Sequence, residues 1–229
     1  MRFNGRMNSN RKHWNEQHQR LQRALAKAEE HGAAIELFLS QHAMVHASAM
    51  SDAGLWSFTD EIWQDAPEAM IRRIPQNCHH SIAWVFWHLA RIEDVTMNFL
   101  VAASPQTLDQ NNWFERMNIP FRDTGNEMPD ADIARLSAEI NLEALQAYRV
   151  AVGRKTREIV QQLRPEEVKE KVKPERLQRI RDEGAVVETA HYVLDYWGKR
   201  TIAGLLLMPP TRHNFLHSNE ALRLKQKRR

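Results

Sequence analysis

Apolar positions recur with a period near 3.6 in four long stretches of the chain, and no segment of useful length alternates as a half-buried strand does. The first stretch covers residues 14–50, with Gly32 as a break. In its second half Ile35, Phe38, Leu39, His42 and His46 follow the spacing of a single helical face. The second stretch starts at Ser81, a suitable N-cap, and ends near Ala103, before Ser104-Pro105; its seam is Trp84, His88, Ile92, Val95 and Phe99. The third begins after Pro129 and reaches Leu163, with Ile133, Leu136, Ile140, Ala144 and Ala147 inward and a bend at Gly153. The fourth spans 185–208, with Val187, His191, Leu194, Asp195, Gly198, Ile202 and Leu205 on its seam. Pro209-Pro210 is expected to stop it, because proline lacks the N–H that a helix interior requires.

Between these stretches, residues 51–79 are irregular apart from a short helix expected over 60–66, and 165–184 form a charged connection. Residues 104–129 make a loop broken only by a helical turn at Trp113–Met117; loops of that length in compact domains often contact ligands. Four amphipathic helices without strands predict an all-α protein, a four-helix bundle with a long crossover connection between its second and third helices. The expected organisation is a basic N-terminal extension with the start of helix one (1–34), the bundle (35–208), and a basic C-terminal tail (209–229) with a short helix near 214–224.

Composition narrows the function classes. With 229 residues, 42% hydrophobic and 27% charged, the chain has the balance of a globular protein. The single Cys78 excludes an intramolecular disulfide and a cysteine-cluster zinc site, leaving the 11 histidines as the abundant soft ligands. The net +3 is uneven: residues 1–23 and 223–229 each carry +5 and the body between them −7. A nucleic-acid partner is not expected, since the basic charge sits in the ends rather than in a stripe on the body. Neither a spanning apolar run nor a signal-peptide core is visible, so the expectation is a cytoplasmic protein with no membrane partner.

Polar groups on apolar seams are the informative positions, because an unpaired polar group in a core is costly. His191 and Asp195 stand at i, i+4, and His88 lies in the middle of the second seam. Three ligands from two facing helices would leave an open position on a divalent ion. The same residues would also make a buried hydrogen-bonded pair beside a satisfied core histidine, and spacing alone leaves both readings open. His42 and His46 form a second i, i+4 pair and His213 and His217 a third, whose role the spacing does not fix. Glu188 and His191 make one Glu-x-x-His element where a di-iron carboxylate bundle needs two. Arg91 and Asp94 read as a surface pair; Glu93 reads either as part of a solvated face or as an acceptor behind a metal-bound histidine. His79-His80 are expected to face solvent, and the tryptophans to be core.

The string HSIAWVFWHLARIEDVTMNFL at residues 80–100 and the string HYVLDYWGKRTIAGLLL at 191–207 resemble the DinB/YfiT-like superfamily, over roughly residues 35–208. The resemblance implies a four-helix bundle and a divalent metal held by one histidine of the second helix and a His-x3-His pair of the fourth. His88 matches the first ligand and His191 the second. Asp195 stands where the third histidine is expected; a carboxylate still suits zinc, nickel, manganese or iron, and His42 or His46 would be alternative contributors. The activity implied is that of a thiol-dependent transferase or isomerase, in which the metal turns a low-molecular-weight thiol into a thiolate that attacks a small electrophile. From a different class comes a non-catalytic bundle with a degenerate metal site, acting by self-association or a protein partner. Phe86, Trp87 and Met97, left over from the second seam, either form an apolar patch for a homodimer or are covered within the monomer by residues 51–79 and the long loop, and both readings stay open.

Overall fold

The computed structural model describes residues 2–227, with side chains from Met7 onward. Among the described residues the chain is helical, with one isolated antiparallel bridge between Lys171 and Thr201. Five long helices carry the architecture: α1 (Arg2–Leu25), α2 (His31–Val45), α3 (Ile82–Val95), α4 (Leu142–Gln162) and α5 (Asn214–Gln226). Helix α3 packs on α4 and α5, and α2 packs on the same two, so these four surround one core; α1 lies against α2.

Helix α3 is the central element, and all 14 of its residues are buried. Ser81 caps it as expected, its hydroxyl accepting from the Trp84 N–H at 3.0 Å. A helix buried on every side reads as apolar all round, yet this one carries His88, Arg91, Glu93 and Asp94. Arg91 and Asp94 are therefore not the expected surface pair. The Arg91 guanidinium donates to Asp94 (3.0 Å), the Tyr148 hydroxyl (2.8 Å), Gln106 (2.5 Å) and the Arg122 carbonyl (2.6 Å). Asp94 in turn accepts from the backbone N–H groups of Thr107 (2.7 Å) and Leu108 (2.9 Å). Both ends of the long loop after α3 are thus fixed by charges on α3.

Several elements depart from the periodicity. The first stretch breaks after Leu25, and Gly32 lies inside α2. The third divides at Ile140: Asp130–Glu139 is one helix, and Asn141 caps α4 by accepting from Ala144 (3.0 Å). Helix α4 runs through Gly153 without a break. A Cβ there would sit 2.7 Å from His46 Nδ1, so the glycine makes room for that imidazole.

The largest departure is in the fourth stretch. Residues 185–208 are not one helix but a 3-10 turn at Glu188–Ala190, a short helix Tyr192–Gly198, and, after Thr201, a second short helix Ile202–Leu206. Pro209-Pro210 does not stop the chain either. A wide π-type turn over Met208–His213 leads straight into α5. The missing N–H of Pro210 would leave the Leu206 carbonyl unpaired, and the Thr211 hydroxyl takes its place at 2.8 Å. The Asn214 amide donates to the Pro210 carbonyl at 3.0 Å. The segment expected as a C-terminal tail is thus the fourth core helix, with Phe215, Ala221, Leu222 and Leu224 buried. The N-terminal segment also joins the core: Trp14 is fully buried, stacked on Phe215 with centroids 4.1 Å apart.

Phe86, Trp87 and Met97, the expected dimer patch, are at most 1% exposed within the single chain. Loop residues cover Trp87: Phe121 meets it edge-on at 6.4 Å, and Gly125 lies against its ring.

Replacing Thr211 by valine keeps the volume and removes the hydroxyl, leaving the Leu206 carbonyl buried and unpaired. Thr211→Val should lower unfolding free energy by about 1–3 kcal/mol in urea titrations, with an unchanged helical circular-dichroism spectrum.

Candidate metal centre

Two groups of side chains among the described residues bring three metal-ligand atoms within 4.8 Å of one another: His88 with His213 and His217, and His42 with His46 and Glu93. Each depends on α5. His213 and His217 are i, i+4 across the start of that helix, and their shared face meets His88 on α3.

In the first group His88 Nε2 lies 3.2 Å from His213 Nε2, and the His217 ring centroid is 4.5 Å from that of His213. His88 Nδ1 is 2.5 Å from the Thr124 carbonyl, which can only accept, so Nδ1 carries the proton and Nε2 presents its lone pair. His217 Nδ1 lies 2.6 Å from Glu220, which fixes the same tautomer. Glu220 also takes His80 Nδ1 at 2.9 Å. Burial would raise its carboxyl, but these two imidazoles hold it well below the usual carboxylate range. Burial, with His217 alongside, pushes His88 down to about 3, and burial together with His88 and His217 lowers His213 strongly, so both rings are neutral at pH 7.

Thr124 reaches His88 because Gly125 follows it with φ of +80°, folding the loop onto α3. A Cβ at Gly125 would lie 2.5 Å from the Trp87 ring. His80, Trp84 and His88 stack in series, with centroid separations of 3.7 and 4.8 Å. An open cleft of about 360 Å³, lined by His79, His80, Trp84, Asn126, Glu127 and Asp130 among others, leads down to His88, His213 and His217. His80 is therefore part of the cleft wall, bonded to Glu220, and not simply solvated.

The second group is enclosed, its three side chains fully buried. Glu93 Oε1 accepts from His42 Nε2 (2.8 Å), and Oε2 accepts from His46 Nε2 (2.9 Å) and the Asn214 amide (2.7 Å). Burial raises the Glu93 carboxyl, yet His46 and His42 hold it well below the ordinary range, while burial pushes His46 down to about 3. Glu93 is thus neither part of a solvated face nor an acceptor behind His88. The charged Arg149 lies close by, donating to Asn214 Oδ1 (3.2 Å) and the Val45 carbonyl (2.9 Å).

Of the expected ligands, His88 is in a metal-competent group and the other two are not. His191 is half-buried at the start of the short helix Tyr192–Gly198 and Asp195 is exposed. That helix turns Val193, Leu194 and Trp197 inward, which carries Asp195 to the outer face. His42 and His46, the alternative contributors, meet Glu93 and not His88. The residues that meet His88 in their place are His213 and His217. Their i, i+4 spacing was visible, but the proline pair in front of them placed them in a tail.

The model of the DinB superfamily matches residues 53–208, more than half of the chain. The chain belongs to the DinB superfamily. A search of curated proteins finds no match. The DinB match ends five residues before His213, at the first residue of the wide turn, so the rest of that turn and α5 of this DinB protein lie outside the matched segment. No helix of the described residues is long and apolar enough to cross a membrane.

Two outcomes follow for the metal-free protein. His46 and His88 have folded values of about 3 against about 6.5 when exposed, so the unfolded chain takes up protons first. Their contribution to stability is complete above about pH 6.5 and declines as pH falls toward 3. Melting temperature should accordingly be lower at about pH 5 than at about pH 7.5. Gly125→Ala should cost about 1–3 kcal/mol, since it adds both a left-handed strain and a clash with Trp87; denaturant titration measures it.

Proposed function

We propose that this DinB protein is a divalent-metal-dependent enzyme acting on a small molecule, with zinc or nickel held by His88, His213 and His217. The observation that carries the reading is the orientation of the ring nitrogens. His88 and His217 each give the Nδ1 proton to an acceptor behind them, which leaves Nε2 as the free lone pair, the arrangement in which metal-bound imidazoles are held. Three imidazoles at the foot of an open cleft leave a further coordination position for a ligand.

The group formed by His42, His46 and Glu93 lacks such support. Its Nδ1 atoms are buried without partners. Giving Nε2 to an ion would turn both Nδ1 atoms into buried donors with no acceptor, against the single such atom, His213 Nδ1, in the first group. With both Nε2 atoms donating to Glu93, the buried carboxylate is paired without an ion.

A metal held by His88, His213 and His217 would supply a Lewis acid able to lower the pKa of a thiol. The reaction we propose is attack by a low-molecular-weight thiol on a small electrophile, as a transferase or an isomerase. His80 lines the cleft and accepts the thiol proton, with Glu220 fixing its Nδ1 and stabilising the imidazolium that forms. Glu220 holds His217 and His80 at once, so proton acceptor and ligand keep a fixed separation. The reading as a bundle with a degenerate site rested on Asp195, and His213 with His217 supplies the His-x3-His pair that Asp195 interrupts.

Protein purified without a polyhistidine tag should contain about one zinc or nickel per chain by plasma mass spectrometry. His88→Ala and His217→Ala should each reduce metal content at least about tenfold, while His191→Ala and Asp195→Ala keep it. Metal that survives His217→Ala but is lost in Asp195→Ala would overturn the assignment.

A further inference from the structure

A second cavity adjoins the histidine group at His213. It has a volume of about 240 Å³ and its wall includes Ile92, Val193, Tyr196, Trp197, Met208 and Pro209. His213 and Asn126 line both this cavity and the cleft, so the two meet at His213. We propose that this cavity seats the apolar portion of the small-molecule substrate, an alkyl chain or a single ring, while the reacting end lies at His88, His213 and His217. The inference rests on the metal reading above and adds the substrate class: an amphipathic small molecule with one apolar arm.

Chemistry and size both support it. The wall is built from aliphatic and aromatic side chains contributed by α3, the short helix Tyr192–Gly198 and the wide turn Met208–His213. Water gains few partners there, and an apolar cavity of about 150 Å³ already holds a benzene molecule. The cleft that shares His213 with it is lined by His79, His80, Asn126, Glu127 and Asp130 among others, which suit a polar or charged end. A substrate with one apolar and one polar arm would therefore cross the three histidines at the junction between them.

The rim of the cavity is also built. Tyr192 is 56% exposed, the most exposed of the large hydrophobic side chains, and its hydroxyl donates to Glu127 at 2.9 Å. That bond joins the short helix bearing Val193, Tyr196 and Trp197 to the loop bearing Asn126. The short helix thus has a role that the expected ligand pair His191 and Asp195 does not give it. Its inward face shapes the apolar wall and its outward face carries Asp195.

Zinc-loaded protein, titrated calorimetrically with acetohydroxamate and hexanohydroxamate, tests the inference. The two chelators share one metal-binding head, and the second adds four carbons. Burial of those carbons should make hexanohydroxamate bind at least about tenfold tighter. Val193→Phe, which fills the cavity, should cut that gain below about threefold and leave acetohydroxamate affinity unchanged. Met208→Phe fills the same space from another wall and serves if Val193→Phe does not fold. Equal binding of both chelators to the wild type, or a gain that survives the filling variants, overturns the apolar-arm inference while acetohydroxamate binding still supports the metal centre. Failure to retain zinc, or to bind acetohydroxamate, overturns the metal reading and with it this inference.

Discussion

The Glu93 carboxylate is the constraint around which the rest is arranged. It is fully buried on a helix that is itself buried throughout, and an uncompensated carboxylate there would be prohibitive. Its three donors come from two other helices, His42 and His46 from α2 and Asn214 from α5. The bundle cannot close without aligning α2, α3 and α5 to within hydrogen-bond tolerance. Breaking such a cluster by removing one partner costs about 3–5 kcal/mol, whereas replacing it entirely by apolar residues is often neutral, so its value here lies in fixing one arrangement over others.

Arg91 does for the long loop what Glu93 does for the helices. Its guanidinium binds Asp94 and Tyr148 and reaches the Arg122 carbonyl, while Asp94 holds the near end of the loop at Thr107 and Leu108. Two residues beyond Arg122, the Thr124 carbonyl sets the tautomer of His88. The protonation pattern of a cleft histidine thus traces back to a buried ion pair one turn along the same helix. Long loops are ordinarily mobile, and this one is ordered because charges in the core demand its backbone groups.

Periodicity made α2 and α3 legible, and Ser81 gave the start of α3 directly. What it could not supply was the identity of the partners. Arg91, Glu93 and Asp94 look like a solvated face, because side chains of that kind almost never enter a core unpaired, and their partners lie up to 121 positions away. The proline pair misled for a related reason. Proline removes an N–H, and a helix normally ends there, but Thr211 restores the lost bond and the helix continues. Had 209–226 been read as helix, His213 and His217 would have met the His-x3-His pattern literally, where His191 and Asp195 meet only half of it.

The two side-chain groups are then linked by helix geometry. On α5 the clamp residue Asn214 directly follows His213, a rotation of about 100° around the axis; on α3 Glu93 lies five positions after His88, a net rotation of about 140°. Hydrogen bonding between Asn214 and Glu93 therefore fixes the rotational phase of both helices, and with that phase fixed His213 and His217 can only turn toward His88. The wide turn at Met208–His213 sets the phase from the other end, since a π-type turn takes up an extra residue that an α-turn would not. Without the extra residue, every side chain of α5 would rotate by about 100°. Asn214 would then leave Glu93 and the histidine pair would leave His88 together, so clamp and cleft are held by one register.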